Sequence, residues 1–243
     1  MIIVKDLYKS FTPIQALQGV TFSAPDGQIT GLLGPNGAGK TTALRVLYTV
    51  LKPDAGNALV DGYDVLKEAQ AVRRRIGVLP DSHGLYSRLS ARENIRYYGR
   101  LHGMKGNALE QDIDDFVKLL DMQEFADRRT EGFSQGQRLK VAIARALIHR
   151  PQNILLDEPT NGLDVMSTRA MRTIIRRFRD QGKCVLFSSH VMQEIAALCD
   201  TIVIIAHGRV IASGSPETLK QSMGQANLED AFVAAIGGEG LLL

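Results

Sequence analysis

The sequence lacks the features that mark several protein classes. Its 243 residues contain no tryptophan and only two cysteines. Cys184 and Cys199 show neither a Cys-x-x-Cys spacing nor a zinc-ligand pattern, so we predict two buried, reduced thiols. Apolar runs such as residues 202–206 are far shorter than the ~20 residues that a membrane span needs. Disulfide-rich, zinc-binding and membrane-spanning proteins are therefore disfavoured.

A strong charge of one sign is also missing. The 29 basic and 26 acidic side chains give a formal net charge of +3, which is spread along the chain. So small a charge does not favour nucleic acid as a partner. The chain begins with a strand-like Ile-Ile-Val at residues 2–4, without a basic region and a following apolar stretch, so we expect no signal peptide. We expect a cytoplasmic protein that reaches a membrane only through a partner.

Strand and helix patterns alternate through much of the sequence, which predicts an α/β fold around a largely parallel sheet. Ile29–Leu33 is a short apolar run, and a helix should follow from Lys40 to Leu51, stopped by residues 52–56. Residues 154–156 and 185–187 are continuous apolar triplets, as expected of strands that are covered on both faces. Apolar residues at helical spacing between these triplets predict a strand, helix, strand unit.

The segment from about His83 to Arg129 has no clear strand pattern. Its periodicity predicts helices near Ala91–Leu101 and Leu109–Leu120, which we interpret as a helical insertion. An apolar stripe from Leu139 to Leu147 then predicts an amphipathic helix that leads back to the sheet. Residues 237–243, four of glycine and glutamate followed by three leucines, are expected to fray.

The segment between the first buried strand and its helix matches the phosphate-loop pattern G-x-x-x-x-G-K-[ST] at every fixed position. Glycines allow several backbone N–H groups to approach phosphate oxygens closely, and the following helix directs its positive end at the same anion. A lysine charge near the β and γ phosphates and a hydroxyl for Mg²⁺ complete the pattern. The predicted nucleotide contacts are Gly34, Pro35, Asn36, Gly37, Ala38, Gly39, Lys40, Thr41 and Thr42.

Two carboxylates follow the apolar triplet at residues 154–156, at the strand end where ligands gather in open α/β sheets. Asp157 suits a role in holding Mg²⁺, and Glu158 suits polarisation of an attacking water. A plainer interpretation, acids that solubilise a strand end, is disfavoured by the phosphate loop upstream. The sequence therefore predicts hydrolysis of a nucleoside triphosphate.

Three further motifs separate this chain from other phosphate-loop proteins. Residues 133–137, Phe-Ser-Gln-Gly-Gln, resemble the signature Leu-Ser-Gly-Gly-Gln, and residues 161–164, Asn-Gly-Leu-Asp, resemble the D-loop. His190 stands where the switch histidine is expected. In this order, from about Val4 to about Phe232, the chain resembles the nucleotide-binding subunit of an ABC transporter.

The resemblance implies a phosphate-loop NTPase core with a mostly parallel sheet, an antiparallel β portion at the N-terminus and an inserted α-helical subdomain. The implied ATP-binding core comprises residues 1–82 and 151–222. The helical subdomain with the signature comprises residues 83–150, and residues 223–243 form a short C-terminal helix and tail.

The resemblance also implies that two copies sandwich two ATPs, arranged head to tail. The signature residues then contact the γ-phosphate that the other subunit holds, aided by the N-terminus of the helix behind them. The residues implied on this side of the nucleotide are Ser134, Gly136 and Gln137 of the signature and Asp164 of the D-loop.

The implied catalytic residues are Lys40, Glu158 and His190, with Glu158 and His190 orienting water and the γ-phosphate. Phe11 matches the aromatic residue that stacks on adenine, and base stacking contributes about 1–3 kcal/mol in comparable contacts. An ordinary half-buried strand aromatic is the alternative for Phe11, with Tyr8 as the second candidate for the stack.

The sequence departs from the family pattern at two places. Asp81 occupies the Q-loop position of a glutamine; it is shorter and charged, and we expect it to reach Mg²⁺ through a water. The implied metal ligands are therefore Thr41, Asp157 and Asp81. Gln135 stands where glycine is usual, so the backbone is expected to approach the partner's nucleotide less closely.

The segment after Asp81 resembles the part of exporter ATPases that faces their membrane subunit, and Leu85 and Tyr86 could be buried there. We therefore expect an integral membrane permease as partner, a peripheral location on the inner face of the membrane, and sodium ions or a drug as the exported substrate. An alternative is a soluble ABC-type ATPase acting on DNA or ribosomes. It is disfavoured by the single nucleotide domain and by the lack of heptads between Thr42 and Phe133. A kinase or GTPase is disfavoured by the signature and switch histidine.

Overall fold

The computed structural model describes residues 1–81 and 84–237. Of residues 237–243, which were expected to fray, Gly237 is instead the last residue of a helix, and the others lie outside the described residues. The predicted start of the helical insertion at residue 83 also lies outside them. Ten strands are present in the described part of the chain. They are β1 (Ile2–Phe11), β2 (Ile14–Ala24), β3 (Ile29–Leu33), β4 (Ala55–Val60), β5 (Tyr63–Asp64), β6 (Ile76–Leu79), β7 (Asn153–Asp157), β8 (Cys184–Ser189), β9 (Thr201–Ala206) and β10 (Arg209–Gly214).

The larger sheet has six strands in the order β10-β9-β3-β8-β7-β6. Its neighbours run parallel except β9 and β10, so the mostly parallel sheet is confirmed. Every residue of β3, β7 and β8 is buried, as the continuous apolar triplets predict. The register pairs Leu33 with Ser189 and Asp157 with Ser188. Parallel pairing thus brings the carboxyl ends of these three strands to one edge.

The smaller sheet is antiparallel, in the order β2-β1-β4-β5, and confirms the predicted β portion at the N-terminus. Its apolar residues join the helix after β3 and one face of the larger sheet in a single core cluster. Of residues 52–56, which were expected to stop the preceding helix, Ala55 already begins β4, a strand that was not predicted. There, Ala55 pairs with Tyr8 across the sheet, a long-range contact that local composition does not reveal.

Nine helices occur in residues 1–81 and 84–237. They are α1 (Lys40–Leu47), α2 (Ala69–Arg73), α3 (Ala91–Leu101), α4 (Gly106–Leu119), α5 (Gln135–Leu147), α6 (Val165–Asp180), α7 (Met192–Leu198), α8 (Pro216–Ser222) and α9 (Leu228–Gly237). The predicted range of α3 is confirmed, and α4 begins earlier than its apolar pattern suggests. None of these helices has the length and apolarity needed to cross a bilayer. The division into core, helical subdomain and C-terminal segment stays a prediction.

The predicted end of α1 at Leu51 was wrong, because the helix ends at Leu47. Thr49 adopts a left-handed conformation with φ of 63°. Its N–H donates to the carbonyl of Val46 at 2.9 Å, and the N–H of Val50 donates to the carbonyl of Arg45 at 3.0 Å. These two bonds form a Schellman cap, which glycine usually closes. Because Thr49 takes the place of this glycine, the sequence did not predict the cap.

Both cysteines are free and buried, as predicted. Burial raises the pKa of the Cys184 thiol to about 12 and that of Cys199 still further. The two thiols therefore stay protonated and unreactive at neutral pH.

Two histidines that belong to no motif stack between α3 and α5. The rings of His102 and His149 are parallel, with centroids 3.6 Å apart, and Nε2 of His149 lies 3.0 Å from the carbonyl oxygen of Ile76. Burial, together with the neighbouring His102, lowers the pKa of His149 from 6.5 to about 4. Between these two pH values the folded protein therefore keeps the His149 ring neutral, whereas the unfolded chain protonates it.

This stack predicts a loss of stability in mild acid. The unfolded state binds the extra proton between pH 6.5 and about 4, so the free energy of unfolding should fall as the pH drops through that window. We expect His149→Gln to flatten this part of the pH profile, measured by urea unfolding at pH 7 and pH 5. His207→Asn, a change at an exposed histidine, should retain the wild-type slope. An unchanged slope in His149→Gln would contradict the assignment.

Candidate functional site

The loop between β3 and α1 forms a cradle of backbone amides. Gly34, Pro35, Asn36, Gly37, Ala38 and Gly39 make the loop, and Lys40, Thr41 and Thr42 make the first turn of α1. A Cβ on Gly34 would lie 2.1 Å from the carbonyl oxygen of Ile205, and one on Gly39, whose φ is 106°, would lie 2.5 Å from that of Ala16. Only glycine fits these two positions. The sequence pattern is therefore imposed by the packing of the loop.

The ammonium group of Lys40 lies inside this cradle. Its Nζ donates to the carbonyl oxygens of Gly34 at 2.6 Å and Pro35 at 3.2 Å, and lies 3.5 Å from Oε1 of Glu158. Burial lowers the pKa of Lys40, and the carboxylates of Glu158 and Asp157 oppose that shift. Lys40 thus carries a buried positive charge within the loop, where it interacts strongly with anions.

The β7 acid Asp157 is buried beside α1. Its Oδ1 accepts hydrogen bonds from Thr41 Oγ1 at 3.1 Å and from Ser188 Oγ at 2.7 Å. Ser188 Oγ in turn accepts from the backbone N–H of Glu158 at 3.0 Å. The buried Ser188 thereby holds both acidic residues in place. Sequence reasoning missed this serine, because only the pairing of β7 with β8 places it opposite Asp157.

The donor set at Thr41 and Asp157 fits Mg²⁺. A hydroxyl and a carboxylate are hard oxygen ligands, and Mg²⁺ commonly takes one or two carboxylates and fills its other positions with water and substrate phosphates. In the described part of the chain, no group of three or more His, Cys, Asp or Glu residues could hold a metal. The hydroxyl of Thr41 and the carboxylate of Asp157 suit a site that water and phosphate oxygens complete.

The three predicted catalytic side chains lie together at the carboxyl edge of the sheet. Oε2 of Glu158 is 3.0 Å from Nδ1 of His190, while Oε1 faces Lys40. Glu158 has a left-handed backbone with φ of 49°, which directs the chain sharply away after β7. Its side chain is 14% exposed and that of His190 is 42% exposed. The carboxylate is thus shielded yet reachable by a water, as a general base requires.

The signature and D-loop residues occupy the N-termini of two helices. Ser134 caps α5 and forms a reciprocal capping box with Gln137, at 3.2 Å and 3.0 Å. Asp164 caps α6 by accepting the N–H of Ser167 at 2.8 Å, and this bond lowers the pKa of Asp164. A Cβ on Gly136 would lie 3.1 Å from Ser167 Oγ. In the described chain no hydrogen bond joins these residues to the phosphate loop.

The two aromatic candidates for adenine stacking differ in their surroundings. Phe11 lies at the end of β1 and is 47% exposed, with Lys9 Nζ 5.6 Å from its ring centroid. Tyr8 is 45% exposed, but its hydroxyl group packs over Gly19, where a Cβ would come within 2.9 Å. The Phe11 ring therefore keeps an accessible face at the surface.

Asp81 is exposed after β6 and lines a cleft of about 700 Å³ that also includes Asp157 and Tyr48. Burial raises the pKa of the Tyr48 hydroxyl, and the carboxylates of Asp157 and Asp81 raise it further. Sequence reasoning also missed Tyr48, the C-terminal cap of α1, because helix periodicity assigned it no role. A contact between Asp81 and Thr41 is not formed in the described structure.

Comparisons with known proteins agree with this geometry. The sequence model of the ABC transporter family matches residues 17–161. The ABC transporter ATP-binding protein NatA of Bacillus subtilis is 43% identical over 224 residues, which cover 92% of this chain and 91% of NatA. The doxorubicin resistance ATP-binding protein DrrA of Mycobacterium tuberculosis is 37% identical over 233 residues, which cover 92% of this chain and 70% of DrrA.

Solved structures support the same assignment. An ATP-binding subunit of an ABC transporter superposes with a TM-score of 0.89 at 27% identity, over 97% of this chain and 99% of that one. An ATP-binding cassette solved as a dimer in a post-hydrolysis state with ADP and Pi gives a TM-score of 0.81 at 26% identity, over 88% and 98%. The likeness extends well beyond the phosphate loop that kinases and GTPases share. The chain therefore belongs to the ABC transporter family, as an ATP-binding subunit that hydrolyses ATP.

Proposed function

We propose that this chain hydrolyses ATP as one half of a head-to-tail pair, and that closure of the pair drives a separate membrane permease to export a substrate. The observation that carries the proposal is the contact between Lys40, Glu158 and His190 at the mouth of the phosphate loop. The signature lies at another helix N-terminus, where Ser134 and Gln137 bond to each other within the same helix. They are thus available to a nucleotide held by a second copy.

In this proposal the phosphates bind to the loop amides and to the positive end of α1. Lys40 exchanges its bonds with the carbonyls of Gly34 and Pro35 for bonds with phosphate oxygens. Mg²⁺, held by Thr41 and Asp157, would neutralise charge on the phosphates. Ser188 keeps Asp157 oriented toward Thr41.

Glu158 accepts a proton from the attacking water as the water oxygen bonds to the γ-phosphorus and the bond to the ADP oxygen breaks. His190 contacts Oε2 of the Glu158 carboxylate and holds this carboxylate in position. Because the charge develops on phosphate oxygens, positioned donors such as Lys40 contribute most of the stabilisation.

The partner subunit would contribute Ser134, Gly136, Gln137 and Asp164 to the same nucleotide. The exposed N-terminus of α5 supplies free N–H groups and a positive dipole for the γ-phosphate. Phe11 would stack on the adenine through its accessible face. The similar cassette that was solved as a dimer supports this arrangement.

A permease would bind the segment after Asp81, where the Tyr86 ring is 48% exposed. In this proposal the chain lies on the inner face of the cell membrane. Relatives named for doxorubicin resistance and for Nod factor export favour an exporter. Sodium ions or a drug stay our proposal for the substrate.

Purification of the tagged chain from detergent-solubilised membranes of its host tests the partnership. We expect a co-purifying protein with several apolar helices of ~20 residues, and ATP hydrolysis that changes when this protein is reconstituted with the chain in vesicles. Recovery only with ribosomes or DNA, with no such protein and no effect of vesicles, would favour the soluble ATPase instead.

Asp81 offers a test of the metal site. Since aspartate would meet Mg²⁺ differently from the usual glutamine, we expect Asp81→Gln to shift the Mg²⁺ concentration that gives half-maximal ATP hydrolysis. The titration is compared with that of Asp54→Asn, a change at a surface aspartate that binds Lys9. A superimposable Mg²⁺ titration for Asp81→Gln would remove Asp81 from the site.

A further inference from the structure

A buried carboxylate lies behind the catalytic residues and takes no part in the proposed chemistry. Glu194 on α7 is 7% exposed. It accepts hydrogen bonds from Thr160 Oγ1 and, at 3.1 Å, from Ser189 Oγ, both through Oε2. Within residues 1–81 and 84–237 no ion pair involves Glu194. Burying a carboxylate without a cationic partner costs folding free energy, unless its hydrogen bonds hold neighbouring segments in a required arrangement.

The two donors to Glu194 flank the catalytic pair. Ser189 directly precedes His190, and its Oγ also accepts the N–H of Val191 at 3.0 Å. The Ser189 side chain therefore bonds across the backbone of His190. Thr160 lies two residues after Glu158, where the D-loop begins, and is itself buried. One carboxylate oxygen thus ties the segment that carries His190 to the segment that carries Glu158.

A second contact extends this connection to the signature. Nε2 of Gln135 donates to the carbonyl oxygen of Asn161 at 3.2 Å. A Cβ on Gly162 would lie 2.6 Å from the same nitrogen, so Gln135 lies directly against the D-loop. A glycine at position 135, as in the usual signature, has no side chain with which to make this bond.

We infer that Glu194 is a positioning residue that fixes His190 and the D-loop relative to each other, and that Gln135 links the signature helix to this arrangement. This inference rests on the proposed function, in which the signature contacts the partner's ATP. Through the contacts of Gln135, Asn161 and Glu194, the nucleotide at one site of the dimer affects the catalytic pair that acts at the other site. A double-mutant cycle measures this coupling directly.

The first test replaces Glu194. Glu194→Ala removes the acceptor of both hydroxyls, and we expect kcat for ATP hydrolysis to fall about 10–100-fold because Glu158 and His190 lose their alignment. KM for ATP should change less than about threefold, since the phosphate loop is untouched. Glu194→Gln keeps an oxygen acceptor in the same place and should recover most of the loss. Wild-type kcat in Glu194→Ala would overturn the inference.

Two further variants keep the test decisive if Glu194→Ala folds poorly. Thr160→Val removes one donor with little change in shape and should lower kcat at unchanged KM. Thr30→Val is the matched control, since the buried Thr30 hydroxyl has no hydrogen-bond partner in the described chain. It should retain wild-type kcat. Equal kcat in Thr160→Val and Thr30→Val would contradict the positioning role.

A double-mutant cycle tests the link to the signature. If Gln135 and Glu194 act through one connection, the kcat of Gln135→Ala/Glu194→Ala should equal that of the more impaired single variant. Multiplying losses would show independent effects and overturn the link. Failure of the proposed function looks different: Glu158→Gln would then hydrolyse ATP normally, whatever Glu194 does.

Discussion

Glu158→Gln is expected to lower kcat for ATP hydrolysis by on the order of 10²–10⁴-fold, the range for loss of a general base. Glutamine preserves the shape of the side chain and can still contact His190, but it cannot take a proton from water. ATP binding depends on the loop amides and Lys40, so it should survive. ATP should then accumulate uncleaved between two subunits.

The measurement combines steady-state hydrolysis with light scattering in Mg²⁺ and ATP. We expect Glu158→Gln to be a dimer with ATP and a monomer with ADP. Glu217→Gln, at an exposed glutamate of α8, is the control and should match the wild type in both assays. A monomeric, ATP-bound Glu158→Gln would favour a kinase-like site that does not need a second copy.

Lys40→Ala is expected to lose both binding and turnover. Its ammonium group is buried in the loop and faces Glu158, so in ATP it would meet the phosphates in a poorly hydrated site, where a charge has its largest effect. Loss of one such donor should reduce kcat/KM by on the order of 10²–10³-fold. The remaining Glu158 and Asp157 charges would also repel the triphosphate.

Hydrolysis and nucleotide titration measure the two effects of Lys40→Ala separately. Lys5→Ala, at an exposed lysine of β1, controls for the general loss of one positive charge. Parental kcat/KM in Lys40→Ala would remove this lysine from the reaction, and with it the proposed chemistry at the phosphate loop.

The candidate site was predictable because its motifs combine local sequence with a simple topological rule. A glycine pattern between strand and helix predicts the loop, and parallel strands bring Asp157 and His190 to the edge that carries Lys40. The resemblance likewise implied that the signature opens a helix, and the capping box between Ser134 and Gln137 gives the physical reason. Each of these features depends on neighbours in sequence or on strand direction.

What could not be predicted depends on contacts between distant segments. Ser188 matters only because the register sets it opposite Asp157, and Glu194 only because α7 folds back under the D-loop. The end of α1 was missed because Thr49 closes the helix in place of glycine. Strand β4 was missed because its pairing with β1, not its composition, defines it.

Subunit mixing tests the shared site most directly. Lys40→Ala disables the phosphate loop, and Ser134→Arg blocks the signature; each homodimer should be nearly inactive. In a mixed dimer, the intact loop of one copy meets the intact signature of the other, and both defects fall on the second site. With random pairing, half of the dimers would carry one intact site, so we predict that an equimolar mixture regains ATP hydrolysis to about a quarter of the wild-type level if that site acts alone. A mixture as inactive as its two components would contradict the head-to-tail account.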